Sequence, residues 1–220
     1  MTALAAERPK TMPDTRTDSV PSATGLSEDD EVLWQAWKAM ELPEGYRAEI
    51  IEGAIEVSPT GRYSHTETIN LLRDELVVFL RGGDFVVRND GNVIHEGQVW
   101  VPDLYIGPKD RERYLTDDGL GVTAAAVRLV VVEVVSPGKR NQDRDRVKKR
   151  REYARAGIPV YVIIDDYDTA GTVTVLTDPQ PEKADWVGVH RVPYGTEVTI
   201  PEGPAKGFTI GEAITGARRG

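Results

Sequence analysis

The chain has 220 residues, a formal net charge of −9, 40% hydrophobic residues and no cysteine. These values fit one soluble domain with a proper core, and they exclude a disulfide framework, a thiolate metal site and a cysteine nucleophile. There is no apolar run of about eighteen residues, and the N-terminal MTALAAERPK has no apolar core, so neither a membrane span nor a secretory signal is expected and the default location is cytoplasmic.

In chain order, residues 1–26 are rich in Thr, Pro, Ser and Ala and are expected to be a disordered tail, followed by a single domain over 27–215 and a short C-terminal tail over 216–220. Ser27, with Asp30 three residues on, is an N-cap signal for a helix carrying Leu33, Trp37 and Met40 on one face and ending before Leu42-Pro43. Residues 46–58 alternate as a hairpin turning at Glu52-Gly53, with Ala48 and Ile50 on one face and Glu49 and Ile51 on the other. After Pro59-Thr60-Gly61, Ser64 and Glu67 form a capping-box pattern for a helix with Ile69, Leu72, Leu76 and Leu80 at helical spacing. Asp90-Gly91 between residues 85–89 and 92–95 predicts a tight hairpin. Residues 98–106 form a further strand that Pro102 demotes towards an edge or a bulge, bending it to present Asp103. Residues 108–121 read as loop with a turn of helix.

The strongest pattern is residues 127–166. A buried strand over 128–135 ends at Ser136-Pro137-Gly138, and a basic helix follows over 142–156, with Gly157 as its C′ residue and Pro159 as a stop. A second apolar strand over 160–164 then implies a crossover with parallel pairing. Shorter antiparallel strands are expected over 172–176, 186–192 and 197–200, and an amphipathic end over 208–214. Between Lys139 and Arg155 nine basic residues face three acidic ones, a local charge of +6 that leaves −15 for the remainder. A solvated helix face balancing an acidic body accounts for such a run, and a nucleic-acid surface is the functional alternative.

Two carboxylates stand where the strand pattern is apolar. Glu133 interrupts Leu-Val-Val-Val-Glu-Val-Val, and Asp103 follows Val-Trp-Val-Pro. Burying a carboxylate is costly unless it is paired, protonated or bound to a cation. A carboxylate pair from neighbouring strands suits a hard divalent cation, which lowers the pKa of bound water and offsets charge on a scissile phosphate. Asp145, Lys149 and Tyr153 share one helix face, and Lys149 is placed to reach towards the two acids, although on spacing alone an ordinary Asp145–Lys149 surface pair is the favoured explanation. His65, His95 and His190 show no metal-ligand spacing, and Asp165 and Asp166 read as turn caps.

Tyr46-Arg-Ala-Glu49-Ile-Ile-Glu-Gly53, Ser58-Pro59 followed by His65, Val101-Pro102-Asp103, Glu133-Val-Val-Ser136-Pro137 and Asp145-Arg-Val-Lys-Lys149-Arg-Arg-Glu-Tyr153-Ala-Arg-Ala-Gly157-Ile-Pro together resemble the Uma family of restriction-endonuclease-like proteins in the PD-(D/E)xK nuclease superfamily. The resemblance spans about residues 34–208. It implies an α/β (α+β) fold, a mixed β-sheet flanked by helices, with Asp103 and Glu133 as metal ligands, Glu49 as an additional acidic residue and Lys149 as the catalytic lysine. In the wider superfamily that lysine lies two residues after the strand glutamate. Here that position is Val135, and the family pattern supplies Lys149 from the next helix instead.

The leading expectation is therefore a Mg²⁺-dependent (or Mn²⁺-dependent) endonuclease hydrolysing DNA phosphodiester bonds through a metal-activated water. The alternative is a catalytically inactive nucleic-acid-binding or regulatory module on the same fold. A third reading is an oligomeric partner, a homodimer in which the basic helix meets an acidic surface of a second copy.

Overall fold

The computed structural model describes residues 25–59, 61–127 and 130–217. The expected tail lies outside these residues up to residue 24, as do the first two positions of the central strand, 128 and 129. Helix α1 (Glu28–Lys38) starts where the Ser27 hydroxyl accepts the Asp30 N–H at 3.2 Å. Its buried residue is Trp34; Leu33 and Trp37 are half-buried, and Met40, beyond the helix end, is exposed rather than part of the stripe. Strands β1 (Tyr46–Ile51) and β2 (Ala54–Pro59) form the expected hairpin, with Glu52 and Gly53 both at positive φ (51° and 69°) as a primed two-residue turn needs.

Helix α2 (Tyr63–Phe79) begins earlier than the Ser64–Glu67 pattern implies, with Arg62 at the N-cap and no side-chain cap. The reason lies at Gly61, where a Cβ would stand 2.2 Å from the His65 ring. That close approach lets the chain turn in tightly, which carries the helix start ahead of Ser64 and sets His65 in its first turn. Leu72 and Leu76 are buried and Ile69 packs beside them, as the spacing predicts.

Strands β3 (Phe85–Arg88), β4 (Val93–His95), β5 (Gln98–Trp100) and β6 (Leu104–Pro108) overturn the hairpin expected at Asp90-Gly91. Asp90 does take a left-handed φ of 52°, but β3 pairs with β6 whereas β4 pairs with β5, in a different sheet. The tight turn is at Glu96-Gly97 (φ 46° and 78°), where His95 stands opposite Gln98. Turn chemistry is local, and it carries no information about which sheet the following strand joins. The strand expected over 98–106 is likewise two strands in two sheets, broken at Val101-Pro102-Asp103, and β6 lies inside its sheet rather than at an edge.

The chain continues through β7 (Val122–Thr123), β8 (Val130–Val134), a helical run of α3 (Lys139–Asp143), a π-helical segment (Arg144–Lys149) and α4 (Arg150–Arg155), then β9 (Val160–Asp165), β10 (Thr172–Gln180), β11 (Asp185–Pro193), β12 (Val198–Thr199), β13 (Thr209–Ile210) and α5 (Glu212–Thr215). The helix begins at Lys139, earlier than expected. It ends with Ile158 N–H bonded to Tyr153 O and Gly157 N–H to Ala154 O, with Gly157 at φ 66°, a Schellman C-cap.

Six strands form one sheet in the order β11-β10-β9-β8-β6-β3, parallel at β8–β9 and antiparallel elsewhere. A second sheet runs β2-β1-β5-β4-β7. Alternation along β8 sends Val132 and Val134 to the face covered by α2 and the C-terminal Phe208, Ile210 and Ile214. Val131 and Val135 face the other layer, with Tyr153, Tyr161, Trp100 and Ile51. Glu133 shares that second face, directly beneath the basic helix.

Candidate active site

The site forms where β5 breaks into β6 and the chain passes between the sheets. Pro102 has no N–H to give to a ladder, so the strand ends there and Asp103 turns back against β8, its Oδ2 accepting the Val134 N–H at 2.9 Å. Glu49 comes from β1, Glu133 from the centre of β8 and Lys149 from the end of the π-helical segment. All four are buried: Glu49, Glu133 and Lys149 have no exposed surface and Asp103 has 3%. The sequence-predicted set is thus brought together in one place.

Lys149 Nζ is the hub. It stands 2.8 Å from Glu49 Oε1 and 2.9 Å from Glu133 Oε1, and donates to Val101 O at 3.2 Å. Tyr153 Oη donates to the same Glu133 oxygen at 2.5 Å, and the Val101 N–H donates to Glu49 Oε1 at 2.6 Å. The i, i+4, i+8 face is real and fully buried, so the surface-pair explanation of Asp145 and Lys149 fails. Asp145 is instead clamped by Arg144 Nε at 2.8 Å, and its backbone carbonyl accepts the Tyr161 hydroxyl at 2.8 Å. The π-helical turn is what presents that carbonyl to a side-chain donor.

Two residues that fall within the family motifs, but to which the sequence reading gives no role, join the site. His65 Nε2 lies 3.1 Å from Asp103 Oδ2, and Arg47 Nη2 lies 3.4 Å from Asp103 Oδ1. An arginine in an alternating strand and a histidine at a polar helix start carry no signal of their own. Only the close approach of Gly61 to the His65 ring betrays the inward placement, and that is visible in three dimensions alone. Asp165 behaves as the expected turn cap, accepting the Tyr167 N–H at 2.9 Å while gripped by Arg146.

Four acidic groups (Glu49, Asp103, Glu133, Asp145) share this interior with three permanent cations (Arg47, Arg144, Lys149), so one of the four lacks a compensating charge and is pushed towards its protonated form. Burial alone would raise the Asp103 carboxyl, but the His65 hydrogen bond and the charges of His65, Arg47 and Lys149 hold it well below the usual range. Glu133 goes the other way. Burial, reinforced by Asp103, Asp145 and Glu49 and opposed by Lys149, pushes it up to about 8. Lys149 stays charged: burial disfavours the ammonium, yet Glu133 and Glu49 outweigh it and raise its pKa.

Asp103 opens onto a cleft of about 840 Å³ between α1 and α2, floored by β1 and the β5–β6 bend. Among the described residues no three His, Asp or Glu side chains converge into a ready cage for a cation. The donor set nevertheless suits a hard ion. Glu49 Oε2 and Glu133 Oε2 are buried without a hydrogen-bond partner, and Mg²⁺ is typically held by one or two carboxylates with water filling the rest of its shell.

The basic run is spent on the protein itself. Lys139 pairs with Asp143, Arg140 and Lys148 with Glu56, Arg144 with Asp145, and Arg146 with Asp165; Lys149 pairs with Glu49 and Glu133, Arg150 with Asp185, and Arg151 and Arg155 with Glu52. Each of the nine cations has an acidic partner. The helix balances an acidic body, as the plainer reading of its charge holds.

A mixed sheet flanked by helices, with a buried acid–lysine cluster at a strand break, defines a nuclease-like α+β protein. The chain belongs to the Uma2 family, described as "Putative restriction endonuclease", whose family model matches residues 34–211. Among solved structures it is similar to a crystal structure described as a "putative nuclease belonging to DUF820" from Anabaena variabilis ATCC 29413, with a TM-score of 0.60 and 14% sequence identity, covering 83% of this chain and 96% of that one. No curated protein matches the chain. Among the described residues no helix is long and apolar enough to cross a membrane.

Proposed function

We propose that this protein is a divalent-cation-dependent endonuclease that hydrolyses DNA phosphodiester bonds, with Glu133 and Asp103 as the ligands of Mg²⁺ or Mn²⁺, Glu49 as the supporting acid and Lys149 as the catalytic cation. The observation that carries the reading is the pair of buried, unpartnered carboxylate oxygens on Glu49 and Glu133, on either side of a charged Lys149 and behind Asp103, which opens onto the cleft. A bound divalent ion supplies a water of lowered pKa and neutralises charge on the phosphate. The chain's own residues do the rest. Asp103 is kept ionised by His65 and Arg47. The Lys149 ammonium, fixed by three oxygens, offers positive charge where a pentacovalent phosphorus would gather negative charge, at no reorganisation cost. Tyr153 holds Glu133 in one orientation. Lys149 thus occupies in space the role that Val135, buried and apolar, cannot play.

Cleavage of plasmid and oligonucleotide DNA with Mg²⁺ or Mn²⁺ by the wild-type chain, lost in Glu133→Gln, is the expected result. Equal cleavage by both proteins, or none by either, overturns it.

One observation favours a second reading, a non-catalytic binding module. Both Asp103 oxygens already accept hydrogen bonds, from Arg47, His65 and Val134 N–H. Calorimetry separates the two: no divalent-ion binding, with DNA binding that survives Glu133→Gln, supports the module.

A further inference from the structure

We infer that the cleft above Asp103 takes an unstacked nucleotide, so that the substrate is single-stranded nucleic acid, or a strand locally opened, rather than an intact duplex; the inference rests on the nuclease reading of the same site. Three features of the structure lead there. The first is access. Asp103 has 3% of its surface exposed, and Glu49, Glu133 and Lys149 behind it have none, so a phosphodiester must enter the cleft to meet them. A cleft of about 840 Å³ is the size of a small-ligand pocket. It is far too small for a double helix, whose major groove alone is about 12 Å wide. A duplex carries its phosphates on the outside, but its bulk keeps them from following a cleft down to a recessed carboxylate, whereas a flexible single strand with unstacked bases can enter.

The second is the lining. Trp37 forms part of the wall, held by its Nε1–H to Ala48 O at 2.9 Å and stacked on Trp34 with ring centroids 5.3 Å apart. Two bonded constraints make it a preorganised aromatic wall, the type of surface on which bases stack with little regard to sequence. Opposite it on α2, Asn70 is exposed and carries no hydrogen bond among the described residues, so its amide is free for a base edge. Arg47 reaches from the floor to Asp103, its Nη2 3.4 Å from Oδ1, and its buried Nε has no hydrogen-bond partner.

The third is electrostatic. A protein that tracks an intact duplex neutralises many phosphates. Here the nine cations of the basic helix all have acidic partners in the same chain, as Arg47 has in Asp103, which leaves Lys38 at the cleft and Arg62 at the start of α2 as the local positive charge. Few phosphate contacts and an aromatic wall suit a short single strand.

The test is fluorescence anisotropy of the full chain in EDTA at fixed low salt, using a labelled oligothymidylate, the matching oligouridylate and a blunt duplex of the same length, with cleavage of the same probes in Mn²⁺ measured alongside. The single strands are expected to bind at least tenfold more tightly than the duplex. Trp37→Leu is expected to weaken single-strand binding roughly tenfold, the worth of one stacked base. Because Trp37→Leu could unfold α1, Asn70→Ala at an exposed position, checked by its melting curve, is the second variant and is expected to weaken binding several-fold. Duplex bound as tightly as single strand, no binding of either, or unchanged binding in both folded variants overturns the inference. Cleavage of duplex without single-strand preference sinks it while leaving the nuclease reading intact. Tight single-strand binding without any metal-dependent cleavage does the reverse.

Discussion

Lys149 and Glu133 show what single residues contribute and how differently they should respond to change. Lys149 is the buried cation between two carboxylates that have no exposed surface, so replacing it leaves both acids without their compensating charge. Breaking a buried ion pair from one side costs about 3–5 kcal/mol. Lys149→Met should therefore lower the unfolding free energy by roughly that amount in denaturant titration. Glu133→Gln should not: the amide oxygen still accepts from Tyr153 and Lys149, and the neutral amide stands in for a carboxyl whose surroundings already push it up to about 8. Its unfolding free energy is expected to stay within about 1 kcal/mol of the wild type, or to rise. A large loss for Glu133→Gln, or a negligible one for Lys149→Met, would contradict the charge balance drawn for this interior. The same residues explain what could be read from sequence. Asp103 and Glu133 interrupt strand patterns that should be apolar, Lys149 falls one helical repeat from Asp145 and Tyr153, and Glu49 is singled out only by the family resemblance. Arg47 and His65 interrupt nothing; both fall within the family motifs, but their part beside Asp103 emerges only when the fold brings them there.

At the scale of elements, long periodic segments were legible and partnerships were not. The α2 stripe, the β8–helix–β9 unit and the Glu52-Gly53 hairpin follow from spacing and turn residues. Asp90-Gly91 has equally good turn chemistry, yet it hands the chain from one sheet to the other, because the apolar faces of β3 and β4 are claimed by different layers. The contact that ties the basic helix to the first hairpin is Glu52, in a left-handed conformation at the turn, gripped by Arg151 through two bonds of 2.7 Å with Arg155 nearby. The Arg151 hydrogen bond, against a smaller opposing effect of burial and with the charges of Arg151 and Arg155, holds the Glu52 carboxyl below its ordinary value of 4.5. A carboxyl depressed on folding stabilises the protein above its unfolded pKa, and that stabilisation is lost as pH falls through the lower folded value. The arginines are partly solvated, so the clamp is worth about 0.5–1 kcal/mol. Glu52→Gln should melt earlier than the wild type at neutral pH, and the gap should close as the pH drops below 4.5. A gap independent of pH would mean the clamp acts through shape and not charge.

For the whole molecule the question is where a polyanion can touch a chain of net charge −9. Sequence drew the eye to the +6 run, because charge along a chain is visible and the acidic partners that absorb it are not; Glu52, Glu56, Asp165 and Asp185 come from four separate strands or their ends. With that run neutralised, nucleic-acid binding should have a shallow salt dependence. For a single strand the slope of log K against log salt is about −0.7 per phosphate neutralised, so two contacts from Lys38 and Arg62 give a slope of roughly −1.4. A basic helix lying free along a nucleic acid would steepen it severalfold. Two double variants separate these pictures. Arg150→Gln with Arg151→Gln removes two cations already paired to Asp185 and Glu52, and it should lower thermal stability while leaving both the slope and the affinity for a labelled single strand unchanged. Lys38→Gln with Arg62→Gln alters an exposed residue at the cleft and another at the N-cap of α2, and it should weaken binding and flatten the slope by roughly 1.4, with little change in melting temperature. The opposite pattern, affinity lost from the helix pair and retained in the cleft pair, would return the binding face to the basic helix and require its ion pairs to open when nucleic acid arrives.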